Sequence, residues 1–375
     1  MLSERSNSAI CRSPLLHLAV WTLTAVAAAQ AAEPTVDGRA ADKYRLKRFA
    51  TEPPFPAPSR MNDRGTMVGW FLELNMPLRA TADGRVTALP LTSADYGAGA
   101  AIGVNEADEA VGYQAALMTE EVRAVKWPPE GGVVDLSAKL SPHPGHRGYA
   151  MDINDHGQVV GYYSEKPREF HTVVWEADGT PHVLPNPDWA PIMWGQRINN
   201  QGHVAGSVLT HKTGYGLGFF WSAATGVLGM GPVTAVHGMN DRDEVVGKGN
   251  HETYGHAFYW NPGMGSRVQN LPLVKGFRRC SATAISPDSL IVGYCDAAAV
   301  PGPRGRVVSV AWERQADGAW LPLELESRFR RHAYNATSSV LDIDSRGRML
   351  FEFDDGSLPP VFGIAVPVAV RRLQH

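Results

Sequence analysis

The stretch Ile153-Asn154-Asp155-His156-Gly157-Gln158-Val159-Val160-Gly161-Tyr162 decides how this chain folds. An Asn at the first position of a type I turn hydrogen-bonds to its own backbone, and a Gly three residues later can take a positive φ. The residues on either side of the turn alternate or are β-branched, as is typical of strands. The stretch therefore predicts a tight β-hairpin whose Asn side chain caps the turn.

The same pattern occurs seven times along the chain, and we number the copies as repeats 1 to 7. The Asn position is occupied in turn by Asn62, Asn105, Asn154, Asn199, Asn240, Ser286 and Asp344. Successive copies are 43, 49, 45, 41, 46 and 58 residues apart. These residues lack the Asp-x-Asp-x-Asp-Gly ligand set of a calcium loop, so we interpret them as turn caps.

Each repeat is expected to contain four strands. A strand follows about twenty residues after each turn and often ends in Trp, as at Val125-Lys126-Trp127 and Val173-Val174-Trp175. A short fourth strand comes about nine residues later. A four-stranded unit of about 40–45 residues is the period of a propeller blade. The sequence therefore predicts an all-β fold, a seven-bladed β-propeller with four strands per blade.

The two ends of the chain are expected to meet. Residues 44–49 resemble a fourth strand that precedes repeat 1, whereas the chain ends at His375 after the third strand of repeat 7. We predict that the N-terminal strand completes the last blade and closes the ring, which removes an exposed sheet edge. The long last step of 58 residues leaves an alternative, a smaller ring with the seventh unit as an appendage.

The first residues are expected to be an export signal. Arg5 and Arg12 precede an uncharged run at 15–29, and Ala29-Gln30-Ala31 fits a cleavage site. The predicted organisation is a signal peptide (1–31), a linker (32–43) and the β-propeller domain (44–375), with secretion or a periplasmic location. A retained membrane anchor is the alternative for the apolar run. After signal removal we expect no membrane span, because no later segment approaches 18 apolar residues.

Charge and cysteine content restrict the functional class. The 35 Lys and Arg and 38 Asp and Glu residues give a net charge of -3, which argues against nucleic-acid binding. Cys280 and Cys295 flank the sixth turn symmetrically. They would face each other across a hairpin with a two-residue loop, or stand one step apart with a bulged loop. We predict a disulfide in an exported chain; two unpaired thiols are the alternative.

Gly255-His256-Ala257-Phe258-Tyr259-Trp260, which follows an Asn-x-x-x-x-Val-Val-Gly unit, resembles the HAF family of probable extracellular repeat proteins. Phe170-His171-Thr172 is a degenerate second copy of the His-Ala-Phe triplet. The similarity runs over most of residues 44–375. It implies secretion and tandem β repeats, and it supplies no catalytic residues to carry over.

One face of the predicted ring is expected to hold the functional site. The loops that enter each first strand and those that join the second to the third strand lie on the same face of a propeller. Their His and Tyr residues are candidates for proton transfer: His146, His237, His251, His332 and Tyr254. Other Arg, Trp and Tyr residues there are candidate ligand contacts, by pairing with carboxylates or stacking: Arg147, Trp189, Trp194, Tyr215, Arg278, Arg279, Arg331 and Tyr334.

Two functions fit these residues. The first is a secreted or periplasmic module that binds a glycan, peptide or surface protein through one face of the ring without chemistry. The second is a carbohydrate-active enzyme, a lyase or hydrolase acting on an acidic polysaccharide with a His/Tyr/Arg site in the central pocket. We expect a monomer without a cofactor or metal site, since His143-x-x-His146 contains a Pro-Gly turn and no accompanying acid.

Overall fold

The computed structural model describes residues 44–49, 55–140, 146–166, 169–209, 216–249, 255–297, 307–325, 337–354 and 360–367. The predicted signal peptide and linker lie outside these ranges. Within them the chain is all-β, with two single-turn 3-10 helices at Ser137–Lys139 and Pro262–Met264. No helix in the described ranges has the length and apolar character needed to cross a membrane.

The described strands are numbered in chain order. They are β1 (Tyr44–Arg48), β2 (Pro56–Met61), β3 (Met67–Phe71), β4 (Pro77–Ala80), β5 (Val86–Ala88), β6 (Tyr96–Val104), β7 (Ala110–Ala116), β8 (Val122–Trp127), β9 (Val134–Asp135), β10 (Arg147–Ile153), β11 (Val159–Ser164), β12 (His171–Trp175), β13 (Pro181–Val183), β14 (Ile192–Ile198), β15 (Val204–Leu209), β16 (Gly216–Ser222), β17 (Gly226–Met239), β18 (Val245–Gly249), β19 (Ala257–Trp260), β20 (Gln269–Asn270), β21 (Arg279–Ile285), β22 (Ile291–Asp296), β23 (Val307–Arg314), β24 (Trp320–Glu324), β25 (Thr337–Ile343), β26 (Met349–Asp354) and β27 (Val361–Pro367).

These strands form five sheets. Three sheets have four strands, in the orders β2-β3-β4-β5, β21-β22-β23-β24 and β1-β27-β26-β25. An eight-stranded sheet consists of two antiparallel groups, β6 to β9 and β10 to β13, joined by a single parallel bridge between Arg147 and Val122. In the seven-stranded sheet, β17 has 14 residues and pairs with β16 through its first half and with β18 through its second half.

Each predicted turn lies between the first two strands of a four-stranded antiparallel group. The N-terminal strand β1 pairs antiparallel with β27, with Tyr44 opposite Pro367 and Arg48 opposite Gly363. The sheet of the last repeat therefore contains strands from both ends of the chain.

A β-bulge interrupts the first strand of every repeat, three residues before the turn position. In β10 the register shifts between Ala150 and Asp152. The bulge brings the backbone of the first strand close to the second strand. A Cβ at Gly161 would lie 1.8 Å from the carbonyl oxygen of Tyr149, so a side chain there is excluded. This close approach explains the Gly that ends the Val-Val-Gly segment.

The turn Asn residues cap their turns, as the sequence predicts. The Oδ1 atom of Asn154 accepts hydrogen bonds from the backbone N–H groups of His156 (3.1 Å) and Gln158 (2.9 Å). The Nδ2 atom of the same side chain donates to the carbonyl oxygen of Asn199 in the next repeat, at 2.9 Å. Each buried Asn therefore stabilises its own turn and also ties it to a neighbouring repeat.

This tie recurs between successive repeats. Asn62, Asn105, Asn154, Asn199 and Asn240 each donate to the carbonyl oxygen at the same position of the following repeat, at 2.8–3.3 Å. Asp344 has no amide to donate. Arg348, which pairs with Asp344, donates instead to the carbonyl oxygen of Asp63, at 2.6 Å. Repeat 7 is thus hydrogen-bonded to repeat 1.

The residue after each turn Asn forms a second series of ties. Its side chain accepts a hydrogen bond from the backbone N–H of the matching residue in the preceding repeat. The N–H of Ser345 donates to Asp63, the N–H of Asp63 to Glu106, and the N–H of Glu106 to Asp155, at 2.7–2.9 Å. We call the two series together the turn belt.

The core lies between neighbouring four-stranded groups. Trp127, Trp175, Trp260 and Trp312, which end or lie in third strands, are fully buried. The indole N–H of Trp175 donates to the carbonyl oxygen of Leu136 in the preceding repeat, at 2.9 Å. These Trp side chains therefore pack the repeats together, as expected for large rings with one polar atom.

Cys280 and Cys295 form a disulfide across the sixth hairpin. The two residues stand directly opposite each other in the pairing of β21 with β22. The two cysteines therefore face each other directly and do not stand one step apart.

Candidate functional site

Charged and polar side chains from five first strands meet inside the molecule. We call Arg60, Asp152, Arg197, His237 and Asp342 the inner cluster. The guanidinium of Arg60 in repeat 1 donates through Nη2 to the carbonyl oxygen of His237 in repeat 5, at 2.8 Å. The Nε atom of Arg197 in repeat 4 donates to the same oxygen. First strands that are far apart in sequence therefore converge on one point.

The two carboxylates of the inner cluster connect neighbouring first strands. Asp342 lies 3.5 Å from Arg60 and accepts a hydrogen bond from the backbone N–H of Met61, at 2.8 Å. Asp152 accepts one from the backbone N–H of Ile198, at 3.2 Å. Each aspartate thus bonds to the residue that precedes the turn Asn of the next repeat.

Burial changes the proton affinity of the cluster. It raises the pKa of Asp152 to about 7, although the charge of Arg60 acts in the opposite direction. The pKa of Asp342 is also raised by burial, against the effect of Arg60. Burial lowers the pKa of His237 to about 4, so this imidazole is neutral near pH 7. The cluster thus offers a carboxyl group that can exchange a proton near neutrality.

The hydrogen bond of His237 fixes which ring nitrogen carries the proton. Nδ1 lies 2.8 Å from the carbonyl oxygen of Ala282, which can only accept. Nδ1 therefore carries the hydrogen, and Nε2 has a free lone pair. Nε2 has no hydrogen-bond partner among the described residues, and the side chain is partly exposed.

Asp152→Asn is expected to be more stable than the wild type at pH 8 and to lose this advantage as the pH falls towards 4. The pKa of this carboxyl is about 7 in the fold against 3.8 for an ordinary aspartate, so the stability of the wild type falls as the pH rises between these values. At 1.4 kcal/mol per pKa unit, the largest gain is about 4 kcal/mol. Urea unfolding at several pH values measures it.

The exposed Asp188 provides the control for this experiment. Asp188→Asn removes one negative charge at the surface and should not show the gain in stability at pH 8 that Asp152→Asn shows. If Asp152→Asn also followed the wild-type profile from pH 4 to 8, the raised pKa of Asp152 would be wrong.

A series of aromatic rings crosses repeats 2, 3 and 4. We call Tyr113, Tyr149, Tyr162, Phe170 and Trp194 the aromatic row. Successive centroids are 5.2, 5.0, 5.9 and 5.6 Å apart. Tyr162 is buried, and the other four side chains are partly exposed. Tyr149 and Trp194 are the third residues of β10 and β14, at the opposite end of these strands from the turn belt.

The phenols of Tyr113 and Tyr149 remain protonated at ordinary pH. Burial raises the pKa of Tyr149 to about 12, with a smaller contribution from Tyr113, and burial also raises the pKa of Tyr113. The row thus combines apolar ring faces with neutral hydroxyl groups, which suits contacts to a hydroxyl-rich ligand.

His146 is buried with 3% of its surface exposed. Its two ring nitrogens have no hydrogen-bond partner in the described part of the chain. The ring stacks on Tyr163 with centroids 5.6 Å apart. Burial, aided by the charge of Arg123, lowers its pKa, so a neutral ring is favoured. His146 therefore packs as an uncharged ring.

The sequence-predicted position of His237 was wrong. It was assigned to a loop that enters a first strand, but it lies within β17, at the bulge three residues before Asn240. Some of the other candidate residues lie in or next to strands, and others lie outside the described residues. Arg147 and Arg279 are the first residues of β10 and β21, Trp194 is the third residue of β14, and Arg278 lies just before β21. The remaining candidates, Tyr215, His251, Tyr254, Arg331, His332 and Tyr334, lie outside the described residues.

Several of the predicted ligand-contact residues already have partners. Arg147 forms an ion pair with Glu120, and Arg279 pairs with Asp296 at 2.9 Å. Trp189 is 40% exposed and lies over Gly229, whose added Cβ would be 3.5 Å from the indole. These residues are available as surface contacts, whereas the convergence of charges occurs in the inner cluster.

Sequence reasoning missed most of both groups. Arg60, Asp152, Arg197 and Asp342 all stand two residues before the turn position, in otherwise small or apolar strands. That recurring charge was a usable signal. For the aromatic row, the aromatic residue that ends the repeated motif was the signal at Tyr113 and Tyr162. Nothing in the sequence alone aligned Tyr149 with them.

A cavity of about 310 Å³ lies between the outer parts of repeats 2 and 3. The ion pair between Lys126 and Glu109, at 3.1 Å, is part of its lining, with Pro128, Leu136 and Gly179. It shares no residue with the inner cluster or the aromatic row, so we assign no function to it.

Within the described residues, no group of three or more His, Cys, Asp and Glu is placed to share a metal ion.

No protein-family model and no curated protein matches the sequence. Solved structures match the fold at low identity. The virginiamycin B lyase from Staphylococcus aureus is 11% identical, with a TM-score of 0.48 over 87% of this chain and 100% of that one. A post-proline cleaving enzyme from Rickettsia typhi is 9% identical, with a TM-score of 0.50 over 80% of this chain and 50% of that one. An oligogalacturonate lyase in complex with manganese is 11% identical, with a TM-score of 0.43 over 82% and 75%.

These similarities concern the fold alone. A TM-score of 0.50 indicates a common architecture with part of the Rickettsia typhi enzyme, and an identity of 9% transfers no activity. With its antiparallel sheets, the chain is defined as an all-β repeat protein of propeller-like fold.

Proposed function

We propose that the chain is an exported, seven-bladed β-propeller that binds a glycan through the face on which the aromatic row lies. The four-stranded groups and the hydrogen bonds from repeat 7 to repeat 1 support a closed ring. The pairing of β1 with β27 supports closure by the N-terminal strand. The resemblance to the HAF family supports export. We propose that the exported protein is a secreted or periplasmic monomer.

The observation that carries glycan binding is the aromatic row. Its rings contact one another across three repeats, and four of them keep part of their surface exposed. Sugar rings have apolar faces that stack on aromatic side chains, while their hydroxyls bond to phenol and indole groups. Five rings linked by successive centroid separations of 5.0–5.9 Å fit several linked sugars better than one small molecule.

Trp194→Ala is expected to weaken glycan binding at least tenfold, which corresponds to about 1.4 kcal/mol. Trp194→Phe keeps a ring and should retain most of the affinity. The measurement is a glycan array followed by titration of the best oligosaccharide, with tryptophan fluorescence or calorimetry as the readout. Leu321→Ala, an exposed site on the outer strand β24, is the matched surface control.

The proposal fails if no glycan binds the wild type. It also fails if Trp194→Ala binds as well as Leu321→Ala does. Binding of a peptide or surface protein, with no effect of Trp194, would support the broader binding function through another part of the face.

A lyase or hydrolase acting on an acidic polysaccharide is the second candidate. It is favoured by the free lone pair on Nε2 of His237, a residue whose carbonyl oxygen accepts hydrogen bonds from two guanidinium groups. Such a nitrogen can accept a proton, and an arginine can stabilise a neighbouring carboxylate. Incubating the same oligosaccharides with the protein and following product release separates this candidate from binding alone.

A further inference from the structure

Arg197 is a partly buried cation without a carboxylate partner. Its Nε atom donates to the carbonyl oxygen of His237, and Nη1 donates to that of Gln196, at 2.6 Å. No acidic oxygen of the described residues lies within the 4.0 Å of an ion pair, and Nη2 has no hydrogen-bond partner among them. By contrast, Arg60 pairs with Asp342. One guanidinium edge of Arg197 is therefore available.

The backbone of His237 contacts this guanidinium, because its carbonyl oxygen is the acceptor for Arg197. Its Nδ1 is occupied by Ala282, and Nε2 can accept a hydrogen bond from a ligand. Both side chains are partly exposed, although they lie where the first strands meet. They therefore present one free donor edge and one free acceptor that solvent can reach.

The charge balance favours an anion at this point. Arg60 and Arg197 contribute two positive charges, and Asp342 neutralises one of them. Asp152 is the second acid, and burial keeps it partly protonated near pH 7. The inner cluster thus has an excess of positive charge at and below neutrality, and an unpaired charge in such surroundings is costly.

We propose that Arg197 and His237 form a subsite for a hydroxy acid, whose carboxylate binds the free guanidinium edge and whose hydroxyl donates to Nε2 of His237. Uronic acids carry this pair of groups. Trp194 stands three residues before Arg197 on β14, roughly 10 Å along the strand at about 3.3 Å per residue. An acidic sugar in the subsite could therefore belong to a glycan on the aromatic row, and this last step rests on the proposed function.

Monosaccharides test the subsite independently of the row. Calorimetric titration at pH 6 is expected to show binding of glucuronate and at least tenfold weaker binding of glucose. Arg197→Gln should reduce glucuronate affinity at least tenfold. Arg85→Gln, an exposed arginine that pairs with Asp83, removes the same charge elsewhere and should bind as the wild type does. Trp194→Ala should also retain glucuronate binding.

A second readout does not depend on a variant that folds. In ¹⁵N spectra of the wild type, glucuronate should shift the Nε2 signal of His237, whereas acetate, which lacks the hydroxyl, should leave it in place. If Arg197→Gln does not fold, Arg197→Lys keeps the charge without the planar fork and should bind glucuronate several-fold more weakly.

The proposal is overturned if glucose and glucuronate bind equally, if neither binds, or if the Nε2 signal does not respond. It is also overturned if acetate or sulfate competes as well as glucuronate does, because the site would then accept any anion. Loss of glycan binding in Trp194→Ala with intact glucuronate binding would support both sites. Absence of glycan binding with intact glucuronate binding would remove only the row.

Discussion

Asn154→Ala should lower the free energy of unfolding by about 2–4 kcal/mol. The side chain is 4% exposed and caps two backbone N–H groups, at 3.1 and 2.9 Å. It also donates to the carbonyl oxygen of Asn199 and to Gln158, both at 2.9 Å. Alanine leaves these buried groups without partners, and each unsatisfied group costs about 1–3 kcal/mol. Urea unfolding measures the change.

Asn154→Asp separates the two roles of this side chain. An aspartate keeps the acceptor for the turn, as Asp344 does in repeat 7, and loses the donor to Asn199. We expect a loss of about 1–2 kcal/mol, intermediate between the alanine variant and the wild type. A loss for Asn154→Asp that equals the loss for alanine would mean that the turn cap contributes nothing. No loss at all would mean that the tie between repeats contributes nothing.

Arg60→Met should destabilise the protein by about 3–5 kcal/mol, the second large effect. The guanidinium neutralises Asp342 and bonds to the carbonyl oxygen of His237, so methionine leaves a carboxylate with 12% exposure unpaired. The pKa of Asp342, already raised by burial, should rise further once the opposing cation is removed. Unfolding at pH 5 and pH 8 should therefore show the larger loss at pH 8.

The double variant Arg60→Met/Asp342→Asn provides the control. Asparagine keeps an acceptor for the N–H of Met61 and carries no charge. The double variant should recover most of the stability that Arg60→Met loses, because a buried pair costs most when only one partner is removed. If it were no more stable than Arg60→Met, the loss would come from the hydrogen bond to His237 rather than from the ion pair.

The fold was largely predictable because one local motif carries it. The Asn of each turn is fixed by backbone groups two and four residues away, and such short-range requirements leave a repeated trace in the sequence. The Gly that ends the Val-Val-Gly segment also recurs, because a close approach such as that at Gly161 excludes a side chain. The spacing of these recurring Asn and Gly residues then indicates the four-stranded unit.

The candidate site was less predictable because it depends on contacts between distant repeats. Arg60 and His237 are 177 residues apart, and no local pattern indicates that they meet. His237 lies in a strand rather than in the expected loop because β17 continues without a break from repeat 4 into repeat 5. Within β17 it stands at the bulge between Val236 and Gly238. A bulge adds one residue to a strand without a distinctive composition, so the sequence did not reveal where the side chain lies.

Pro287 interrupts the turn belt. It follows Ser286, has no N–H, and offers no acceptor to Asp241 of the preceding repeat. Among the described residues, repeat 6 is joined to repeat 5 within the belt by Asn240 alone, and no belt bond joins it to repeat 7. The Cys280–Cys295 bond lies in this same repeat. The hairpin of repeat 6 is therefore held by a covalent crosslink, whereas the other repeats are joined to one another by the hydrogen bonds of the turn belt. The mechanical integrity of repeat 6 thus depends on an oxidising environment, in which disulfides persist.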